Sequence, residues 1–353
     1  MAPEMVRQRA VIVIPALNEA DRIVSVMDRL LADAPVGTKL VVTDGGSTDG
    51  TRDLVRQYAK TNDAVTLIAN ADRIQSAGIN LAVLTAAAAT DADVLIRADA
   101  HAVYPPDYCR ILLEECVASG AASVTVAMHT LAQGGFSTGV AAAQNSFLGT
   151  GGSAHRTGGG VGRFVDHGHH AAMSLAAFRD VGGYDAAQSH NEDAELDHRL
   201  RKAGHRIWLT GRTSLGYFPR RTPVALFKQY FAYGKGRATT VAKHAMRMRA
   251  RQMAPLAVAP AVLVAITGLF AAIWSPWWLL LAMPAAVWAV LCLLGGVILA
   301  VRAGEWPVVW AGPAAMLMHL GWSLGFLAQV LRFASRLART SRPGQPQNVG
   351  HRE

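Results

Sequence analysis

Four short apolar runs alternate with amphipathic stretches over the first hundred residues. Ala10–Pro15 (AVIVIP) is continuous and β-branched, which predicts a strand buried on both faces. Asn18-Glu19 opens a helical pattern that continues through Leu31. Lys39–Thr43 (KLVVT) predicts a second strand, ending at Asp44. Gly45-Gly46-Ser47 is the turn, and Ser47 or Thr48 caps a helix running to about Tyr58. Val65–Ala69 and Val94–Ile96 predict two more strands, with a helix over Gln75–Ala88 between them. Strands alternating with helices imply an α/β chain built on a mostly parallel, doubly wound sheet. Ligands of such sheets bind beyond the carboxyl ends of the strands. Asn18, Asp44 and Asp99 fall at three such ends. One Asp there is usually a turn former; three polar groups on one sheet edge point to a site.

The last third of the chain changes character. No Asp, Glu, Lys, Arg or His occurs over the 50 residues from Gln252 to Val301, and one bilayer crossing needs about 20. Spans are predicted at about 255–274 and 277–301, and 307–330 is a third apolar run interrupted only by His319. Seven of the eight tryptophans lie in this region, several at run ends, as in an interfacial belt. Lys235, Arg237, Lys243, Arg247, Arg249 and Arg251 precede the first span with no acid among them, which assigns that side to the cytoplasm. Arg332, Arg336, Arg339 and Arg342 ask for the same side, whereas three full crossings put them opposite. Gly312-Pro313, Gly321 and Gly325 offer places for the third run to break into a re-entrant or interfacial element. The expected organisation is a domain over 1–250, a membrane domain over 251–332 and a basic tail over 333–353. Ala10–Leu17 is too short for a signal-peptide core, so the first 250 residues are expected to stay in the cytoplasm.

Composition sharpens this division. Hydrophobic residues make up 51% and charged residues 17%, against roughly 25% charged in ordinary soluble domains. That excludes a disordered chain. Cys109, Cys116 and Cys292 are too few for a disulfide scaffold. The net charge of +9 is unevenly spread: 14 basic and 23 acidic residues through Asp197, then 20 basic and 2 acidic. An acidic site domain joined to a basic membrane-facing part accounts for this split, and no nucleic-acid partner is expected.

The first strand–helix turn reads Pro-Ala-Leu-Asn-Glu, without the glycines of a dinucleotide fingerprint, and no P-loop is present. A nucleoside diphosphate then needs another counter-charge, such as a carboxylate-held divalent cation. Asp99 and His101 offer an oxygen and a nitrogen at i, i+2, on one side of a strand end. Asn191–Asp197 (NEDAELD), followed by Arg199, Arg201 and Lys202, predicts a helix with acids in its first turn. Dipole complementation is one reading; a general base facing the cleft is the other. Thr157–Arg163 (TGGGVGR), with His167, His169 and His170 after it, reads as a flexible cover loop or a lid over the ligand. Gln229–Arg237 (QYFAYGKGR) reads as a membrane-surface anchor, or through Lys235 and Arg237 as counter-charge for a leaving diphosphate.

With these residues in place, the chain resembles a family 2 glycosyltransferase of the A-type (GT-A) fold. Val13–Glu19 with Asp44–Thr51 (DGGSTDGT) is similar to that family's nucleotide-binding opening, and Arg73–Asn80 to its next donor-site segment. Asn191-Glu192-Asp193, preceded by Gly182-Gly-Tyr-Asp185, is similar to its acceptor motif. Arg97–Pro105 (RADAHAVYP) and Tyr233–Arg237 resemble the succinoglycan-biosynthesis glucosyltransferase subgroup. The resemblance covers roughly residues 9–245 and implies a Rossmann-like sheet followed by transmembrane helices. It implies that Asp44 holds a uracil base and that Pro15, Asn18 and Glu19 line the nucleoside pocket. Gln75, Asn80, Arg97, Lys235 and Arg237 complete the donor side. Asp99 with His101 would bind Mg2+ or Mn2+, and Asp193, beside Glu192, would be the base of a one-step inverting displacement. The implied reaction moves a hexose, glucose by the subgroup, from a UDP-sugar to a lipid-linked saccharide. Its implied setting is the cytoplasmic face of a bacterial inner membrane, in exopolysaccharide or cell-surface glycan synthesis. Two departures stand out. Arg97 occupies the first position of the family's Asp-x-Asp, and Gln-x-x-Arg-Trp is absent, with Gln229…Arg237 in its place. The second favours single-sugar transfer over processive polymerisation. The first supports the alternative class, a non-catalytic membrane scaffold that keeps the fold as a docking surface.

Overall fold

The computed structural model describes residues 9–86, 91–153, 156, 160–248 and 250–340. The chain begins with four strands, β1 (Ala10–Ala16), β2 (Lys39–Asp44), β3 (Val65–Ala69) and β4 (Val94–Arg97), joined by α1 (Ile23–Leu31), α2 (Thr51–Thr61) and α3 (Gln75–Thr85). All pair in parallel, and β1 lies between β2 and β4. Ile12 and Ile14 of β1 enter one core with Ile23, Val26, Met27 and Leu30, which recur at helical spacing on α1. Val11 and Val13 enter the opposite core with Ile79 and Val83 of α3. Coverage on both faces is why this strand is continuously apolar.

Two boundaries differ from expectation. α1 starts at Ile23, because Asn18 sits at φ 57°, in the left-handed region. α2 starts at Thr51 after Gly50 (φ 96°), since Ser47 and Thr48 bond across to Asn18 instead of capping.

The chain continues through β5 (Ala102–Val103), α4 (Tyr108–Ser119), β6 (Ser123–Thr130), α5 (Phe136–Gln144), α6 (Phe147–Thr150), β7 (Arg163–Val165), β8 (His169–Ser174), α7 (Leu175–Asp180), α8 (Glu192–Lys202), β9 (Ile207–Tyr217) and α9 (Pro223–His244). The sheet order is β3-β2-β1-β4-β8-β6-β9-β5, with β7 on β9. β8 runs antiparallel to both β4 and β6, so the sheet is mixed, with parallel pairing along β3-β2-β1-β4 and between β6 and β9. The inserted antiparallel strand has a consequence for chemistry: the first residues of β8, His169 and His170, lie on the same sheet edge as the carboxyl end of β4.

The C-terminal region forms α10 (Ala250–Met253), α11 (Val258–Ala271), α12 (Met283–Ala303) and α13 (Ala311–Thr340). Three helices are long and apolar enough to cross a membrane, at Ala254–Ala271, Pro276–Ala303 and Trp306–Arg336. The places for a break that Gly312-Pro313, Gly321 and Gly325 offer are not used: α13 is one helix of 30 residues. Gly321 and Gly325 serve close packing against α9, and Gly312 against α12. A Cβ on Gly325 would lie 2.0 Å from the Phe231 carbonyl oxygen, and one on Gly234 of α9 would lie 2.0 Å from that of Trp322. Val140 and Ala143 of α5, Leu226 of α9, and Ala311, Ala314 and Met318 of α13 share one core.

Candidate active site

The loops after β1 and β2 are stitched to each other. The Asn18 carboxamide oxygen accepts from the Thr48 amide at 2.9 Å, and the Asn18 amide donates to Ser47 Oγ at 2.9 Å. The Glu19 amide donates to Thr51 Oγ1 at 2.9 Å. The Asp44 carboxylate, 1% exposed, accepts from the amides of Gly46 at 3.0 Å and Ser47 at 3.2 Å and faces Arg52 Nε at 3.4 Å. Asn18 and Asp44 therefore shape the loop with the same side chains that the resemblance assigns to the nucleoside. Pro15 sits in β1 opposite Thr43. Asn80 is taken up by the fold: its amide group donates to the Tyr184 carbonyl at 2.7 Å and its oxygen accepts from the Tyr184 amide at 2.9 Å.

At the end of β4, Arg97 is a hub. Its side chain is 4% exposed. Nη1 donates to Asp193 Oδ1 and, at 3.3 Å, to the Tyr184 hydroxyl. Nη2 lies 3.6 Å from Asp99 Oδ1 and 3.7 Å from Glu192 Oε1. His169 closes the other side, with Nε2 3.5 Å from Asp99 Oδ2 and Nδ1 3.7 Å from Asp193 Oδ2. Asp99 and Asp193 thus meet around one guanidinium. Asp44 stays apart, on a strand two spacings away, about 10 Å. The Asp44 carboxylate is bound into its own turn.

The charges set one another. Burial works to raise the Asp193 pKa, and Arg97 and then His170 outweigh it, holding the carboxyl below its usual range. Burial, then the Asp193 charge, pushes the neighbouring Glu192 up to about 7. Adjacent carboxyls on one helical turn are thereby driven apart in acidity. Burial also opposes ionisation of Asp99, but Arg97 and His169 hold it low. His169 is pushed down to about 4 by burial.

Asp99 and His101 supply one carboxylate and one imidazole. Asp99 Oδ1 takes the Gln75 amide at 3.0 Å, and His101 Nδ1 faces Glu19 Oε1 at 3.0 Å, which leaves the Nε2 side of the ring. Among the described residues no group of three His, Cys, Asp or Glu is arranged to hold a metal ion. These two side chains offer one carboxylate oxygen and one imidazole nitrogen, so a divalent cation there would need its remaining ligands from outside the protein.

The helix carrying Asp193 is tied to α9. Glu195, fully buried, accepts from Lys243 Nζ at 2.7 Å and lies 2.9 Å from His244 Nε2. Thr240 Oγ1 accepts from the side-chain amides of Asn191 at 2.7 Å and Gln188 at 3.2 Å. Arg237 does not join the group around Arg97 by contact; it is buried, and Nη2 donates to Gln252 of α10 at 3.1 Å. Lys235 lies near His190, whose pKa it lowers together with burial. Of the glycine-rich loop, 157–159 lie outside the described residues. Arg163–Val165 form β7 along the first residues of β9, and a Cβ on Gly211 would fall 1.4 Å from the Gly160 carbonyl oxygen, so this part packs on the sheet.

Sequence reasoning missed the roles of His169, His170, Tyr184 and Asp197. The available signal was His169–Ser174 (HHAAMS), a strand whose leading polar residues face inward.

The family model for Glycosyl transferase family 2 matches residues 11–182, from β1 to the turn after α7. Succinoglycan biosynthesis protein ExoA of Rhizobium meliloti (strain 1021) is 48% identical over 337 residues, covering 95% of this chain and 99% of that protein. Among solved structures, the mannosyltransferase of Pyrobaculum calidifontis in complex with GDP-Man and Mn2+ is similar with a TM-score of 0.54 at 17% identity, over 93% of this chain and 88% of that one. That likeness shows the GT-A fold and explains the mixed sheet. The alignment with that relative extends past the family model through α8 and into the apolar helices, so these belong to the same inheritance as the sheet: the chain belongs to glycosyl transferase family 2.

Proposed function

We propose that this glycosyltransferase is membrane-anchored and inverting, and moves a single hexose from a UDP-sugar to a lipid-linked saccharide at the cytoplasmic face of the bacterial inner membrane. The observation that carries the reading is the meeting of Asp99 and Asp193 around Arg97. It joins a carboxylate suited to the diphosphate side with a helix-borne base. The relative's printed role in succinoglycan biosynthesis supports an exopolysaccharide product; glucose as the sugar follows from the subgroup resemblance alone. Three long apolar helices support the anchor, and the acid-free basic approach to the first supports the cytoplasmic side.

In this reading Asp193 accepts the proton of the acceptor hydroxyl while that oxygen bonds to the anomeric carbon. The sugar–phosphate bond breaks on the opposite face, and its electron pair leaves with UDP. Arg97, buried and fixed, is preorganised positive charge beside the reacting groups. Glu192, poised near neutrality, hydrogen-bonds acceptor hydroxyls. Asp99 and His101 would hold a divalent cation, which when bound neutralises the diphosphate. In detergent-purified full-length protein, Asp193→Asn is expected to lower transfer about a thousandfold and leave UDP binding intact; near-normal turnover overturns the assignment.

One observation favours the scaffold reading: Arg97 occupies the carboxylate that has to act as base. Absence of UDP binding by calorimetry supports a scaffold, and slow UDP-sugar hydrolysis without acceptor counts against it.

A further inference from the structure

Behind Asp193 stands a buried group that the proposed reaction leaves unused. His170 is fully buried; its Nε2 lies 2.7 Å from Asp197 Oδ1, and its Nδ1 lies 2.6 Å from the Tyr184 hydroxyl and 3.5 Å from Asp193 Oδ1. Asp197, 1% exposed, meets His167 Nδ1 at 2.8 Å through its other oxygen, which also accepts from the Gly168 amide at 3.2 Å. The Tyr184 hydroxyl is 3.3 Å from Asp193 Oδ1. Asp193 and Asp197 are four apart on α8 and so share a face.

Counting hydrogens fixes the directions of these bonds. A carboxylate only accepts, so Asp197 requires a hydrogen on His170 Nε2. If that is the ring's one hydrogen, Nδ1 is an acceptor. The single Tyr184 O–H then points at Nδ1, away from Asp193. If Nδ1 is protonated too, it donates to the Tyr184 oxygen, and the Tyr184 O–H turns to Asp193 Oδ1.

We infer that Asp197 and His170 are positioning residues for the proposed base: an imidazolium held between two carboxylates turns the Tyr184 hydroxyl onto Asp193 Oδ1 and leaves Oδ2 to the acceptor. The inference rests on the reading of Asp193 as base. The surroundings agree with it. His170 is faced by Asp193 and Asp197 from α8, Tyr184 from the loop before it, Arg97 from β4, and His167 and His169 from its own strand and approach; its partner on β6 is the uncharged Thr125. Burial opposes the charged ring, but Asp197 and then Asp193 outweigh burial and raise its pKa. The arrangement is therefore present below the raised pKa and lost as pH rises through it.

Asp197→Asn tests this directly. It keeps an acceptor for Nε2–H and removes the charge that sustains the second proton. In full-length protein labelled with 15N-histidine, the imidazolium signal of His170 at pH 7 is expected to become that of a neutral tautomer. Turnover should fall about tenfold with donor KM unchanged, and the alkaline limb of the pH profile should move to lower pH. In a Tyr184→Phe background Asp197→Asn should cause no further loss, because the hydroxyl it acts through is gone. Equal losses in both backgrounds, or an unchanged histidine signal, overturn the proposal. If Asp197→Asn does not fold, the native spectrum decides: a His170 signal, assigned through His170→Gln, that is neutral at pH 7 overturns it. The histidine readout does not depend on turnover. An active Asp193→Asn enzyme would thus defeat the base reading while the proton arrangement is judged separately.

Discussion

The two sides of the proposed site are built on different physics. The donor edge, at the ends of β1 and β2, is a set of neighbouring loops held by short bonds from amides to side chains, with Asn18 and Asp44 as braces. The base side is a buried ionic group, where Arg97 meets Asp99, Glu192 and Asp193, backed by His169, His170 and Asp197. Loop braces are worth about a kilocalorie each and act locally. A buried charge left without its partner costs several times more and disturbs every neighbour. The donor edge should therefore respond to substitution in small independent steps, and the base side as one unit.

Arg97→Gln is the hardest blow to that contrast. It leaves three carboxyls without their shared cation, so a loss of about 3–5 kcal/mol in denaturant stability is expected, with transfer abolished. A loss below about 1 kcal/mol would show that the base side is no unit. Divalent-cation removal should act on the reaction alone: EDTA is expected to suppress transfer about a hundredfold, with recovery on adding Mn2+ and no change in the Arg97–Asp193 pairing. Activity undiminished by EDTA would remove Asp99 from the ligand role. Asn18→Ala should cost about 1–2 kcal/mol, from a lost brace and a residue ill suited to φ 57°, and Asn18→Gly less. The smallest effect is a slope. Glu192 is protonated in the fold up to about pH 7 and in the unfolded chain only to about 4.5, the ordinary glutamate value. Its contribution to stability is therefore present at low pH and declines as pH rises from about 5 to 8. Glu192→Gln should flatten the fall of Tm over that range; an unchanged slope would place the titration elsewhere.

Legibility in the sequence follows the same divide. β1, β2 and their loops could be read because each brace lies no more than 32 residues from its partner, within two short motifs at neighbouring strand ends. The left-handed turn at Asn18 could not, since a helix-forming pattern surrounds it. Asp193 was readable as an acid at a helix start, whereas its pairing with Arg97, 96 residues away, was not. Sequence alone marks Arg97 as a departure from a carboxylate motif; the structure shows a cation serving three carboxyls. The glycines of α13 carried the opposite ambiguity. Read against hydropathy they suggest a break, but Gly321 and Gly325 meet a helix some ninety residues earlier and Gly312 meets α12.

That contact between α13 and α9 has a geometric corollary. Gly234 and Gly325 bring the two backbones together, while Thr240, Lys243 and His244 fasten the far end of α9 to the helix bearing Asp193. α9 is therefore a strut between the apolar helices and the carboxylate proposed as base, so a shift of α13 along its axis would be carried to Asp193 rather than absorbed by a loop.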